Sequence, residues 1–384
     1  MSIRLVDAKQ RLAAKLSDYD PPVLHPIEAD PWVVSSLLQK SIRRGETEIA
    51  QRAAHTLFML KGSAIWRRLM VIAYEDIGAG AADVLMMTIA AGTDAAWRKA
   101  HGGDGRVAVA LAGMLAEATK DRSTDYLICA AKDHPSLAAE RLAIASGSIA
   151  DRLSVLCDVS LTLPHRAMAA WYTSGIEWRG ERQVGKGDLA ALLEAYGELG
   201  VPEQLIVATS VAIARTREPI TVMAPLAWLV AHQHPNVIIC NCPLPCAAGD
   251  DVPLYALDMH TRPGREAIWR FARENEAVRA CLERYVPKPG WRRAAYAAAF
   301  YVDGAPVKQR LFWEGSESLE AFGIERDFLT AGAAPEGFAP LLESVRANLQ
   351  HLNAVRAEVL ARSHLGSIGP TALGAVRTAA EGRG

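Results

Sequence analysis

Long apolar runs are missing from this chain of 384 residues. Nowhere do about 18 or more apolar residues follow one another, so the sequence predicts no membrane-spanning helix. Cysteine is scarce: six residues, unevenly spaced, exclude a disulfide framework and fit a reducing cytoplasm. A charge excess of either sign is also lacking, since 42 Lys and Arg face 43 Asp and Glu, a net charge of -1. A general polyanion-coating role is thereby excluded, and any contact with nucleic acid needs a local patch. The start, MSIRLVDAKQRLAAKL, has neither an uninterrupted apolar segment nor a small-residue cleavage site. The expectation is no secretory signal and a cytoplasmic location. There is no GxSxG, no HExxH and no fixed-period repeat of a named solenoid.

What the chain has is helical periodicity. Half of its residues are hydrophobic and only 22% are charged. Ala and Leu dominate, and most segments carry apolar residues at helical spacing. Ile49, Ala53, Leu57 and Leu60 form one stripe over 46–61, closed by Gly62, and Ile65, Leu69 and Ile72 form another over 63–76, closed by Gly78 and Gly80. Similar patterns fill 81–99, 105–120, 188–198, 201–215, 219–232, 265–285 and 338–363. The spacing predicts an all-α fold, a bundle or array of antiparallel helix hairpins. The clearest break is the Pro-, Gly- and Cys-rich stretch 233–253, in which Val237 to Cys240 has room for a short strand. The expected organisation is a helical domain over 1–158, a helical extension over 159–232, a second helical region over 233–364 and a tail of small polar residues over 365–384.

Several motifs have chemical readings. Gly180 to Gly187 matches GxxxxGK, but Gly187 stands where Ser or Thr holds magnesium and no buried strand precedes it, so no ATPase activity and no cofactor are expected. His232, His234, Cys240, Cys242 and Cys246 are ligand types that zinc prefers, but the CxC and CxxxC spacing is unlike a structural site, and a packed crossover loop is the alternative. The run Asp258-Met-His260-Thr-Arg262-Pro-Gly264-Arg265 precedes a helix. Asp258 could orient His260 as an acid–base group, with Arg262 and Arg265 as anion clamps; a solvated turn is the alternative. Residues 258–310 hold eleven Lys or Arg against six Asp or Glu, interleaved with aromatics such as Trp269, Phe271, Tyr285 and Trp291, a pattern shared by strand-binding surfaces and by amphipathic helix pairs. Lys40, Arg43 and Arg44 end one helix, and Arg67 and Arg68 lie within another. Glu75 and Asp76 end that helix, where the macrodipole disfavours anions. They therefore need compensation, either from Arg44, Arg67 or Arg68 or by capping of the next helix by Asp76.

The order and spacing of Lys40-Ser41-Ile42-Arg43, Arg67-Arg68-Leu69 and Tyr74-Glu75-Asp76-Ile77-Gly78, within the run from Val33 to Gly92, carry a resemblance. This run resembles the helical C-terminal region of the RarA/MgsA type of replication-associated recombination proteins, AAA+ ATPases related to clamp loaders. The likeness covers roughly residues 31–130 and extends through VAVALAGMLAEATKDRSTDYL. Tyr74 replaces a small residue, and the family's preceding ATPase module has no counterpart in residues 1–30. The resemblance implies a clamp-loader-collar-like N-terminal part and a non-catalytic, self-associating role near replication or repair DNA. Lys40, Arg43, Arg44, Arg67 and Arg68 would then face DNA, with Glu75, Asp76 and Gly78 forming a structural turn; Arg262 and Arg265, outside the likeness, are read from their own run as further anion- or DNA-binding side chains. The expected partners are further copies of the chain, DNA, or replication and repair proteins, with no metal and no membrane.

Overall fold

The computed structural model describes residues 5–177, 186–233, 235–241 and 252–367, the last five of these by their backbone alone. Among the described residues it is all-α apart from one small sheet. The helices are α1 (Val6–Ser17), α2 (Pro31–Arg44), α3 (Thr47–Lys61), α4 (Ile65–Ile72), α5 (Ala82–Gly92), α6 (Ala95–Ala100), α7 (Gly103–Glu117), α8 (Ser123–Asp133), α9 (Ala138–Ser146) and α10 (Ile149–Cys157). There follow α11 (Leu163–Ser174), α12 (Leu189–Glu198), α13 (Glu203–Thr216), α14 (Met223–Gln233), α15 (Arg262–Glu274), α16 (Glu276–Tyr285), α17 (Trp291–Ala299), α18 (Ser316–Thr330), α19 (Phe338–Ala347) and α20 (Leu349–Ser367). Among the described residues no helix is long and apolar enough to cross a membrane.

Periodicity locates the helices but runs through three breaks. The pattern over 81–99 divides into α5 and α6, because Asp94 accepts the N–H of Trp97 at 2.9 Å and starts a new helix. The pattern over 265–285 divides at Asn275, which accepts the N–H of Val278 at 3.1 Å, and that over 338–363 divides at Asn348. At Asp94 and Asn275 a short polar side chain that satisfies a free N–H resets the helix without disturbing the apolar spacing on either side.

The chain forms two compact units, and neither is contiguous as the linear division of the sequence has it. One comprises residues 1–26, 38–244 and 306–330; the other comprises 27–37, 245–305 and 331–384. In the first, α3 packs on α7, and α8 packs on α11 and α18. The return of 306–330 to this unit rests on long-range contacts, α18 against α8 and one strand pair. The strand β1 (Asn236–Ile239) pairs antiparallel with β2 (Arg310–Trp313), Asn236 opposite Trp313 and Ile239 opposite Arg310. In the second unit, α15 packs on α20 and α17, and α16 packs on α19.

Each unit contains one helix that ends in a π turn. Residues Ala73–Ile77 continue α4, and Phe300–Gly304 continue α17. The fourth residue of each turn is a buried aspartate, and each is held by a buried arginine: Asp76 by Arg43 Nε at 2.5 Å, Asp303 by Arg356 Nη1 at 2.6 Å. A π turn inserts one residue into the helical register, and such insertions concentrate where a fold places specific side chains.

Candidate functional site

A polar constellation of the first unit is built around Asp76. The π turn is closed by Gly78, whose φ is +47° and whose N–H bonds the Ala73 carbonyl. A Cβ at Gly78 would lie 2.7 Å from the Asp121 carbonyl oxygen, and one at Gly80 would lie 2.6 Å from that of Thr119. Glycine is required at both positions because the backbone of 119–121 lies directly against the turn. The Asp121 N–H donates to the Asp76 carbonyl at 3.1 Å.

Of the side chains that sequence reasoning singled out, Arg43, Arg68, Glu75 and Asp76 meet at this junction, with others that it did not single out. Arg43 donates through Nε to Asp76 and through Nη2 to Glu75 at 2.6 Å. Gln39 Nε2 donates to the other Asp76 oxygen at 2.7 Å, and Arg68 donates to the Gln39 carbonyl oxygen. Arg122 stands 3.2 Å from Asp76, 3.9 Å from Glu75, and pairs with Asp125. Three guanidinium groups and three carboxylates thus gather in one cluster with Asp76, fully buried, at its centre. The anionic helix end is compensated by Arg43 and Arg122. Arg44 pairs with Glu46 at 2.9 Å, Arg67 with Glu218, and Asp76 caps no helix. Lys40, Arg43 and Arg44 are 3%, 2% and 4% exposed, so within this chain they do not stand on a surface that a duplex could reach. Gln39, Arg122 and Asp125 were missed; the signal was the run of charge in Lys120-Asp121-Arg122 directly after an apolar helix.

Next to the cluster lies Lys120, fully buried, with its ammonium on the carbonyls of Ala116 and Ala118. Burial pushes its pKa down to about 8 from an ordinary value of 10.5. Between those values the unfolded chain holds a proton that the folded chain does not, so folding stability rises with pH across that window. Lys120→Met is expected to flatten this rise relative to the wild type. Urea midpoints measured from pH 7 upward on both proteins check it; parallel curves would contradict it.

In the second unit Asp258 and His260 do meet. Asp258 is fully buried; its Oδ1 accepts the backbone N–H of His260 at 2.9 Å, and its Oδ2 faces His260 Nδ1 at 2.9 Å. The ring edge faces Phe300, 5.6 Å between centroids, while 59% of the side chain remains open to solvent. Thr261 caps α15 by accepting the Gly264 N–H at 3.1 Å. Thr261→Ala is expected to cost about 1 kcal/mol, read as a lowered melting midpoint. Arg262 and Arg265 are exposed, and Arg265 bonds the Met259 carbonyl at 3.2 Å. The basic and aromatic residues of 258–310 largely face one another: Trp269 lies under Arg292 at 4.8 Å and Arg273 at 5.9 Å, and Phe271 is buried.

The other motifs are partly placed. Gly180 to Gly185 lie outside the described residues, while Gly187 packs against the backbone of Gly175. His234, Cys242 and Cys246 also lie outside them; His232 bonds and stacks on Trp228, and Cys240 is exposed. Among the described residues no group of three His, Cys, Asp or Glu side chains is arranged to hold a metal ion. No family model matches this chain, and neither a curated protein nor a solved structure is significantly similar to it.

Proposed function

We propose that the chain is a non-catalytic helical scaffold of the clamp-loader-collar type, acting beside replication or recombination machinery in the cytoplasm. The observation that carries this reading is the convergence at Asp76. The Lys-Ser-x-Arg piece, the Arg-Arg-Leu piece, the Glu-Asp-x-Gly turn and the Lys-Asp-Arg segment, which carry or adjoin the resemblance, supply one ion-pair cluster through Arg43, Arg68, Glu75, Asp76 and Arg122. In this reading the signature arginines Arg43 and Arg68 hold the scaffold together, Arg67 is spent on Glu218, and DNA contact falls to the exposed Arg262 and Arg265. Self-association is part of the same reading. Trp66 and Met70 are buried within the chain, Trp66 donating to Asp104 at 3.0 Å, so the apolar surface left for a second copy on this hairpin is Met59 and Leu60 at the end of α3.

The test is a salt titration of DNA binding beside light scattering. Each phosphate contact on duplex DNA contributes about 0.9 to the slope of log K against log salt. Arg262→Ala with Arg265→Ala is expected to reduce that slope by about 2, whereas Arg43→Ala with Arg44→Ala is expected to leave it unchanged and lower the melting temperature. Failure of the wild type to bind DNA at low salt, together with a monomer at micromolar concentration, would sink the reading.

A second reading rests on the Asp258–His260 pair: a buried carboxylate that orients an exposed imidazole is the arrangement of a general acid–base group. A screen of phosphate and carboxylate esters decides it. Turnover that His260→Gln abolishes supports an enzyme, and turnover that His260→Gln leaves intact removes this site from consideration.

A further inference from the structure

Between the end of α11 and the C-terminal turn of α13 the first unit forms an open cleft of about 1040 Å³, lined among others by Arg67, Ile176, Glu177, Arg215, Arg217 and Glu218. Its walls are built rather than incidental. The Ile176 carbonyl accepts Trp171 Nε1 at 2.9 Å, and the Ile176 N–H is held by Ser174 Oγ at 3.1 Å. On the opposite wall Arg67 bonds the Thr216 carbonyl at 3.0 Å and pairs with Glu218, which fixes the turn after α13.

Two cations on this wall stand apart from the other arginines of the unit. Arg43, Arg44, Arg98, Arg122, Arg310 and Arg326 each meet a carboxylate, and Arg52, Arg106, Arg141, Arg152 and Arg166 meet backbone carbonyls. Arg215 and Arg217 are exposed and have no hydrogen bond or ion pair from their side chains to any described residue. Arg217 also takes φ +54°, its N–H on the Ile213 carbonyl at 2.9 Å, a left-handed position that glycine would occupy without steric cost. With Arg67 and Glu218 neutralising each other, the remaining charges among the described lining residues are Arg215 and Arg217 against Glu177. Guanidinium pairs match the oxygens of a phosphate in geometry as well as charge. A volume of about 1040 Å³ admits a ligand of nucleotide size.

We propose that this cleft is a binding site for a phosphate group, with Arg215 and Arg217 as its anion-holding side chains. The phosphate can be carried by a small phosphorylated molecule or by the end of a nucleic-acid strand, and the chemistry of recognition is the same. The proposal does not rest on the scaffold reading. The competing account is that both arginines merely favour the negative end of α13.

Calorimetric titration at low ionic strength tests it with inorganic phosphate, adenosine monophosphate, and one oligonucleotide with either a 5′-phosphate or a 5′-hydroxyl. The wild type is expected to bind at least one phosphate probe, and Arg215→Ala with Arg217→Ala to weaken that binding at least tenfold. Arg215→Lys with Arg217→Lys is expected to retain part of it. Glu177→Gln, which removes the opposing charge, is expected to tighten binding severalfold and serves as the test if the double alanine variant does not fold. Binding of phosphate and the mononucleotide assigns a small-molecule source; binding confined to the 5′-phosphorylated strand assigns a nucleic-acid end. Absence of binding to every probe overturns the proposal, as does affinity unaltered both in the double alanine variant and in Glu177→Gln. A double alanine variant that melts lower yet binds unchanged assigns the arginines to the helix end.

Discussion

Replacing Asp76 by alanine is expected to destabilise the unit that contains it by about 3 kcal/mol, seen as a fall in the denaturation midpoint at unchanged slope. The size follows from what is left behind. Arg43 is 2% exposed and Arg122 is also buried, and both lose their shared carboxylate. Neither can turn to water, and a buried guanidinium does not shed its proton. The loss stays near the lower end of the range for broken buried pairs because partners remain: Glu75 for Arg43 and Asp125 for Arg122. The Asp76→Asn variant separates charge from packing. It preserves the shape but not the charge, and it is expected to cost nearly as much as alanine. If asparagine were tolerated, the cluster would be a hydrogen-bond network rather than a set of ion pairs, and the π turn would owe its form to Gly78 and the 119–121 backbone alone.

The same cluster marks how far the sequence could be read. Helical class was legible because alanine and leucine recur at helical spacing through most of the chain, and an apolar stripe is a property of local sequence. The anomaly of Glu75 and Asp76 at a helix end was legible too, since the macrodipole argument needs only the helix boundary. The identity of the compensating groups was not. Arg122 lies 46 positions from Asp76 in the sequence and reaches it because 119–121 runs against Gly78 and Gly80. A long-range approach of backbone to backbone leaves only a glycine as its local trace. Arg43 was legible as basic but not as buried: a cation in the last turn of a helix reads the same whether it meets solvent or an aspartate. The interleaving of the two units was hidden for a similar reason. It depends on β1 pairing with β2, two strands of four residues more than seventy positions apart. The Asp258–His260 contact, by contrast, spans two positions and was readable from spacing alone.

The second unit is expected to be more sensitive than the first to loss of its π-turn aspartate. Asp303→Ala should cost about 5 kcal/mol, at the upper end for a broken buried pair. Arg356 is fully buried, and its guanidinium meets Asp303 at 2.6 Å and the Asn353 side-chain oxygen at 2.9 Å through the same nitrogen. Its Nε and Nη2 have no acceptor among the described residues. With Asp303 gone, no described carboxylate takes over, unlike Arg43, which keeps Glu75. Removing the cation instead should hurt less. Arg356→Met keeps an apolar stem in the same space and removes the buried guanidinium, so no cation is left without its anion. The ordering to be measured is therefore Asp303→Ala worst, Arg356→Met milder, and the double variant Asp303→Leu with Arg356→Met milder than Asp303→Ala, because no buried charge remains. A melt in which Asp303→Ala equals Arg356→Met would mean that Arg356 finds another anion, and one in which Asp303→Ala is harmless would mean that the pair does not hold the turn.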